Sequence, residues 1–254
     1  MERVDTLHDL LKLEVDAIFG LSGSNLNSSQ TPDLHAVVIW SENGHFVATS
    51  PAVSEHRQSL DDQVSMESFV SGSPPQALSH LGGILELSQA TITGGPTYLV
   101  PDNLQTQTSP AIDGSSLFII SSVSEAEAMT AQRRLHRPST WELDEWNNLT
   151  DGHLGPWAMA VHSPDPESGI VGLEAVCICF SARRTPRAAE AGIWTREDFR
   201  GRRLAPTVAA RWAAAERSHK DILFYSTSSD NIASQSVARR LGLQPLGWLW
   251  KLHV

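Results

Sequence analysis

The sequence predicts an α/β protein, and three observations carry that prediction. Over residues 115–254, apolar runs of strand length are interleaved with runs at helical spacing, in the order strand, helix, helix, three strands, helix, strand, helix, strand. Within that order, residues 189–215 read as one uninterrupted strand, turn and helix. Upstream, residues 34–40 and 45–49 are two β-prone runs joined by Ser41-Glu42-Asn43-Gly44, a hairpin signal in a region without regular alternation. A smaller α+β N-terminal region (1–110) therefore precedes the α/β part (111–254), with the boundary in a stretch rich in Gln, Thr, Ser and Pro at 101–113.

The elements follow from local chemistry. Leu7, Leu10, Leu11, Val15 and Ile18 recur at helical spacing among acidic residues, so the first twenty residues predict an amphipathic helix rather than a signal peptide. Residues 21–33, rich in Ser, Asn and Gly, predict a loop, 53–69 one or two short helices, and 75–87 a helix weakened by Gly82-Gly83. A short strand is expected at 97–100 and another at 115–122. Ser124 with Glu127 three residues on has the form of a capping box opening a helix to about Leu135. Thr140 begins a further helical turn or two carrying Trp141, Leu143, Trp146 and Leu149. Strands are expected at 157–162 and 170–181, joined through Pro164-Asp165-Pro166, then at 221–226 and at the C-terminus, where Leu246, Trp248, Trp250, Leu252 and Val254 share a face.

Residues 190–205, E-A-G-I-W-T-R-E-D-F-R-G-R-R-L-A, are the chemically distinctive stretch. Ala189, Ala191 and Ile193 alternate with Glu190, Gly192 and Trp194 on a strand. A basic turn containing Gly201 follows, and then Leu204, Val208, Trp212 and Ala215 mark a helix with Pro206 in its first turn. A helix N-terminus beside Arg200, Arg202 and Arg203 presents backbone N–H groups, a positive dipole end and cationic side chains together. That combination suits a phosphate or pyrophosphate.

This stretch resembles the acetyl-CoA-binding motif of the GNAT superfamily of N-acetyltransferases: Arg or Gln, two residues, Gly, one residue, then Gly or Ala. Arg200 and Ala205 fit the ends, Gly201 is the glycine common after the arginine, and Arg203 replaces the central glycine, where a side chain bears on the backbone angle. A second match lies downstream, where Asn231, Ser234, Val237, Leu241, Gly242 and Leu243 fit N-x-x-S-x-x-V-A-x-x-L-G-hydrophobic. The two occur in the family's order. The resemblance spans about 112–254 and implies a GNAT-like acyl-CoA-binding mixed sheet with flanking helices. The N-terminal region is then a substrate-binding part or a degenerate GNAT-like domain.

The resemblance implies roles residue by residue. Arg200, Gly201, Arg202, Arg203, Leu204 and Ala205 would hold the pyrophosphate of acetyl-CoA. Ile193, Trp194 and Thr195 would meet the pantetheine and polarise the thioester carbonyl, with the Trp194 side chain read as sheet core. Asn231 and Ser234 would contact the cosubstrate, and either Asp230 or Asn231 also suits an N-cap. Glu190, ten residues before Arg200, would be the general base that deprotonates an ammonium, with a structural salt bridge as the alternative and Glu174 as the second candidate. The family's general-acid tyrosine falls on Ala238, so the acid is absent there, leaving Ser234, Ser236 and Tyr225 as neighbours in sequence. The implied function is acetyl transfer from acetyl-CoA to a small-molecule amine in a ternary complex. The alternatives are a non-catalytic acyl-CoA-binding or interaction module, and a transferase with another acyl donor or an oxygen acceptor.

Composition narrows the classes. A chain of 254 residues with 41% hydrophobic and 19% charged residues can bury a core, and its net charge of −10 argues against a nucleic-acid surface. No apolar run has membrane-spanning length. Cys177 and Cys179, the only cysteines, point to one strand face and read as buried apolar groups in a reducing cytoplasm. None of the ten histidines has metal-ligand spacing, so no metal is expected, and His162 is the one nearest the motif strand's neighbours. The oligomeric state is not encoded in any pattern.

Overall fold

The structure, a computed structural model, describes residues 5–27, 29, 31–86, 89–104, 116–164 and 172–253. It is a mixed α/β protein, with seven α-helices among those residues. Two compact units divide the chain: one of residues 1–99, 224–236 and 244–254, the other of 100–223 and 237–243. The expected single cut at 110 falls on residues outside the described set, as do the Pro164–Gly169 turn beyond Pro164 and the start of the strand expected at Ile170.

The first unit opens with α1 (Leu7–Phe19), whose Thr6 and Asp9 exchange bonds at its start: Thr6 Oγ1 accepts from the Asp9 N–H at 3.2 Å, and Asp9 Oδ2 from the Thr6 N–H at 3.0 Å. The expected loop at 21–33 holds two short strands, β1 (Leu21–Ser22) and β2 (Asn25–Leu26). The hairpin is β3 (Leu34–Ser41) and β4 (Gly44–Thr49), paired from Ala36↔Thr49 to Ser41↔Gly44. After a 3-10 segment (Pro51–His56) come α2 (Arg57–Met66) and α3 (Gln76–Ile84). Glu67 reaches from outside α3 to accept from the Gln76 and Ala77 N–H groups, both at 2.7 Å, which satisfies a helix start that Pro75 cannot cap. β5 (Thr91–Leu99) closes this part of the chain.

The second unit begins with β6 (Leu117–Ser121) and α4 (Glu125–Arg134). Ser124 caps α4 as expected, accepting from Glu127 N–H, but Glu127 returns its carboxylate to the Ser121 N–H at 2.7 Å, tying the helix to β6. β7 (Leu135–His136), α5 (Leu143–Thr150), β8 (Trp157–His162), β9 (Leu173–Arg184), β10 (Ala188–Thr195) and α6 (Leu204–Glu216) follow. The strand order in this unit is β10-β9-β8-β6, antiparallel throughout, with β7 parallel on β9. Trp141, Trp146, Leu149, Trp157, Met159 and Ile178 fill the core under α4 and α5. α6 packs on β8, β9 and β10, and its buried Trp212 Nε1 donates to Ser181 Oγ at 3.0 Å.

β11 (Ile222–Ser226), α7 (Ile232–Leu241) and β12 (Gln244–His253) finish the chain. α7 ends on Gly242 at φ 64°, where the Gly242 N–H donates to Arg239 O and the Leu243 N–H to Ala238 O, the glycine-terminated helix end expected from Leu241-Gly242. Although last in sequence, β12 lies between β3 and β5 in the first unit, giving the order β1-β2-β4-β3-β12-β5-β11. Trp250 and Leu252 join Ala36, Val38, Trp40, Leu60, Val64, Leu78 and Leu81 in the core under α2 and α3, with Trp248 stacked on Trp250 at 5.6 Å.

Candidate active site

The motif strand is β10, and its pairing with β9 is irregular where the candidate base lies. Glu190 pairs with Arg183 and Ala191 with Ser181, so Ala182 of β9 is left over and the ladder kinks at the Glu190–Ala191 step. Glu190 is 6% exposed. Gly192 beyond it is needed for space: a Cβ there would lie 2.9 Å from the Phe180 ring and the Ala182 Cβ. The last three residues, Ile193, Trp194 and Thr195, pair with Cys179, Ile178 and Cys177. Trp194 packs edge-on against Trp141 at 6.4 Å, so its side chain joins the core cluster, as expected. Thr195 Oγ1 lies 3.1 Å from Cys177 Sγ.

Both cysteines are buried, and burial pushes the Cys177 thiol up to about 12 and Cys179 well above its ordinary value. Burial of this kind disfavours the thiolate, the form that acts as a nucleophile.

After Thr195 the chain makes a 3-10 turn (Glu197–Phe199), passes Gly201 at φ 76° and Arg203 at φ 61°, ψ 24°, and enters α6. Phe199 (4% exposed) and Leu204 (2%) are buried and pin the turn at both ends, which turns Arg200, Gly201, Arg202 and Arg203 outward. Arg203 lies in the left-handed region that glycine adopts at least cost. The α6 N-terminus has no side-chain cap bond. Among the described residues, neither Arg200, Arg202 nor Arg203 forms an ion pair, although the Arg202 guanidinium lies 4.3 Å from the Phe199 ring centroid. Ala205 is partly exposed in the first turn.

Beside this turn is a cavity of about 410 Å³ lined by Arg137, Glu174, Trp194, Thr195, Arg196 and Arg200 among others. His136 at the end of β7 and residues 137–140 that lead toward α5 also line it. Glu174, the second candidate base, lines the cavity; Glu190 is not among the lining residues. Arg196 Nη1 donates to Glu174 Oε2 at 2.7 Å and holds the Glu174 carboxyl below the usual carboxylate range, with a smaller lowering from His162 at 3.7 Å. A carboxylate so stabilised is a weaker base.

Asn231 and Ser234 belong to the first unit, where Asn231 Oδ1 accepts from the Ser234 N–H at 3.0 Å as a helix cap. Tyr225 Oη donates to Ser234 O at 3.2 Å, and Ala238, at the position of the family's acid, is buried. Among the described residues no group of His, Cys, Asp and Glu could hold a metal ion, and no helix is long and apolar enough to cross a membrane. Arg196 and Phe199 were missed as site residues. A lone aromatic inside the charged run R-E-D-F-R-G-R-R was the available signal, because only burial explains it there.

The model of the "Acetyltransferase (GNAT) domain" family matches residues 116–244, half of the chain. No curated protein matches it. Among solved structures, an acetyltransferase of the GNAT family from Colwellia psychrerythraea is similar at 16% identity, covering 98% of this chain and 97% of its own, with a TM-score of 0.47. A GCN5-related N-acetyltransferase-like protein from Streptococcus suis 89/1591 is similar at 17% identity, covering 89% of this chain and 85% of its own, with a TM-score of 0.43.

Proposed function

Because this chain belongs to the GNAT acetyltransferase family, acyl transfer is its general chemistry, and we propose that it moves an acetyl group from acetyl-CoA to the amine of a small molecule. The observation that carries the cosubstrate is the turn between β10 and α6. Arg203 is left-handed and the helix start has no side-chain cap bond, beside three arginines that form no ion pair among the described residues. Arg200, Gly201, Arg202, Arg203, Leu204 and Ala205 would hold the pyrophosphate. Ile193, Trp194 and Thr195 would line the pantetheine.

Acetyl-CoA supplies a thioester, and the acceptor amine replaces its thiol. An amine arriving as ammonium must first lose a proton. Glu190 is our candidate for that proton: it is buried on the motif strand at the kink, ten residues before Arg200 as the resemblance implies. Backbone N–H groups at the end of β10 would stabilise the negative charge that develops on the carbonyl oxygen. The replacement of the acid tyrosine by Ala238, together with the engaged Tyr225 phenol, favours a second reading in which the chain binds acyl-CoA without turnover.

Thermal unfolding with acetyl-CoA, beside Arg200→Ala, is the test. At about 100 times its dissociation constant the ligand adds roughly 2.7 kcal/mol of stability. We expect a clear upward shift that Arg200→Ala largely abolishes. No shift with acetyl-CoA or longer acyl-CoAs would end the proposal. A shift without thiol release across amine panels would leave the binding-module reading, and release only with alcohols or other acyl donors would change the acceptor or donor.

A further inference from the structure

An anion site built on a turn that carries Glu197 and Asp198 has an internal conflict. A free carboxylate two residues from Arg200 would pair with the arginines and repel a diphosphate. The structure removes Asp198 from that competition. Arg196 Nε and Nη2 hold Asp198 Oδ1 and Oδ2 in a fork at 2.7 and 3.0 Å, and the remaining nitrogen, Nη1, holds Glu174 on β9. The Arg196 backbone N–H also donates to Val176 O at 2.9 Å, so the first residue of the turn is tied to β9 by main chain and side chain alike. The Arg196 guanidinium then lies 4.5 Å from the centroid of the Phe199 ring that Arg202 also covers.

We infer that Arg196 is a positioning residue: it keeps Asp198 occupied and the turn fixed to β9, so that Arg200, Arg202 and Arg203 stay available to an anionic ligand. This rests on reading the turn as an acyl-CoA site. The Asp198 and Glu174 carboxyls are both held below their ordinary range, chiefly by their bonds to Arg196; the Arg202 charge acts on Asp198 as the smallest of the causes. The role inferred for Arg196 runs through Asp198 and the backbone of the turn.

The test is calorimetric titration of coenzyme A into the full chain. Arg196→Gln frees Asp198, and its dissociation constant for coenzyme A should rise about tenfold. Adding Asp198→Asn to that variant removes the freed charge and should restore at least half of the loss on a logarithmic scale, a rescue that a merely structural role for Arg196 does not produce. Should Arg196→Gln not fold, Arg196→Lys keeps the charge, loses the fork and is read the same way. A wild-type constant in the single variant, or a double variant no better than the single, overturns the inference. Wild type that does not bind coenzyme A overturns the underlying site reading and the inference with it, and is distinguishable because every variant is then equally silent.

Discussion

At the residue scale, Arg203 carries the departure from the motif in a left-handed conformation. An L-residue in the left-handed region costs about 1–2 kcal/mol, and here it is held between the buried Phe199 and Leu204. Arg203→Gly removes that strain while loosening the unfolded chain, so we expect stability to rise by up to about 1 kcal/mol in urea unfolding. Arg203→Val, β-branched at a positive φ, should lose more than about 1 kcal/mol. If valine proves neutral, the left-handed turn is not how the chain enters α6. The identities of Arg200, Gly201 and Ala205 were legible from spacing. The angle at Arg203 was not, because a side chain there permits either outcome until its neighbours are known.

At the scale of elements, β5 was the largest omission. Residues 97–100 were expected as a short strand. The strand runs Thr91–Leu99 because the glycines serve close approach: a Cβ on Gly95 would lie 2.7 Å from the Ser228 carbonyl carbon and the Ser229 nitrogen, and nearer still to Thr227 O. Gly94 faces the Trp250 ring in the same way. Gly95→Ala should therefore destabilise by roughly 2 kcal/mol or more, as overpacking against backbone does. Equal denaturation midpoints for the variant and wild type would show that β5 has room to move. α4 carries the complementary lesson. Its cap was legible at Ser124, but the partner of Glu127 was Ser121 of β6, which only the packed structure supplies.

At the scale of the whole molecule, folding stability should respond to a buried pair in the second unit. Glu216 is 0% exposed, and burial raises its pKa while Arg184, at 2.9 Å, acts in the opposite direction. A carboxyl with a raised folded pKa binds its proton more tightly folded than unfolded. Its contribution is therefore most favourable at low pH and is lost as pH rises from the ordinary carboxylate range through the raised value. Glu216→Gln should remove this slope, so melting temperatures measured from pH 4 to 8 should decline less for the variant over that window. Parallel curves would count against the burial account.

The sequence by itself determined the α/β class, most helix and strand positions, the basic turn at the start of α6 and the resemblance that the family match at 116–244 bears out. These features depend on residues within a turn or two of each other, through periodicity, caps and glycine positions. Tertiary structure alone decided what depends on remote partners. It placed β12 between β3 and β5, gathered Arg137 and Glu174 around one cavity, and gave Arg196 its two carboxylates. The reason is physical: strand pairing and charge pairing join groups tens of residues apart, and only burial and backbone geometry select among the possible partners.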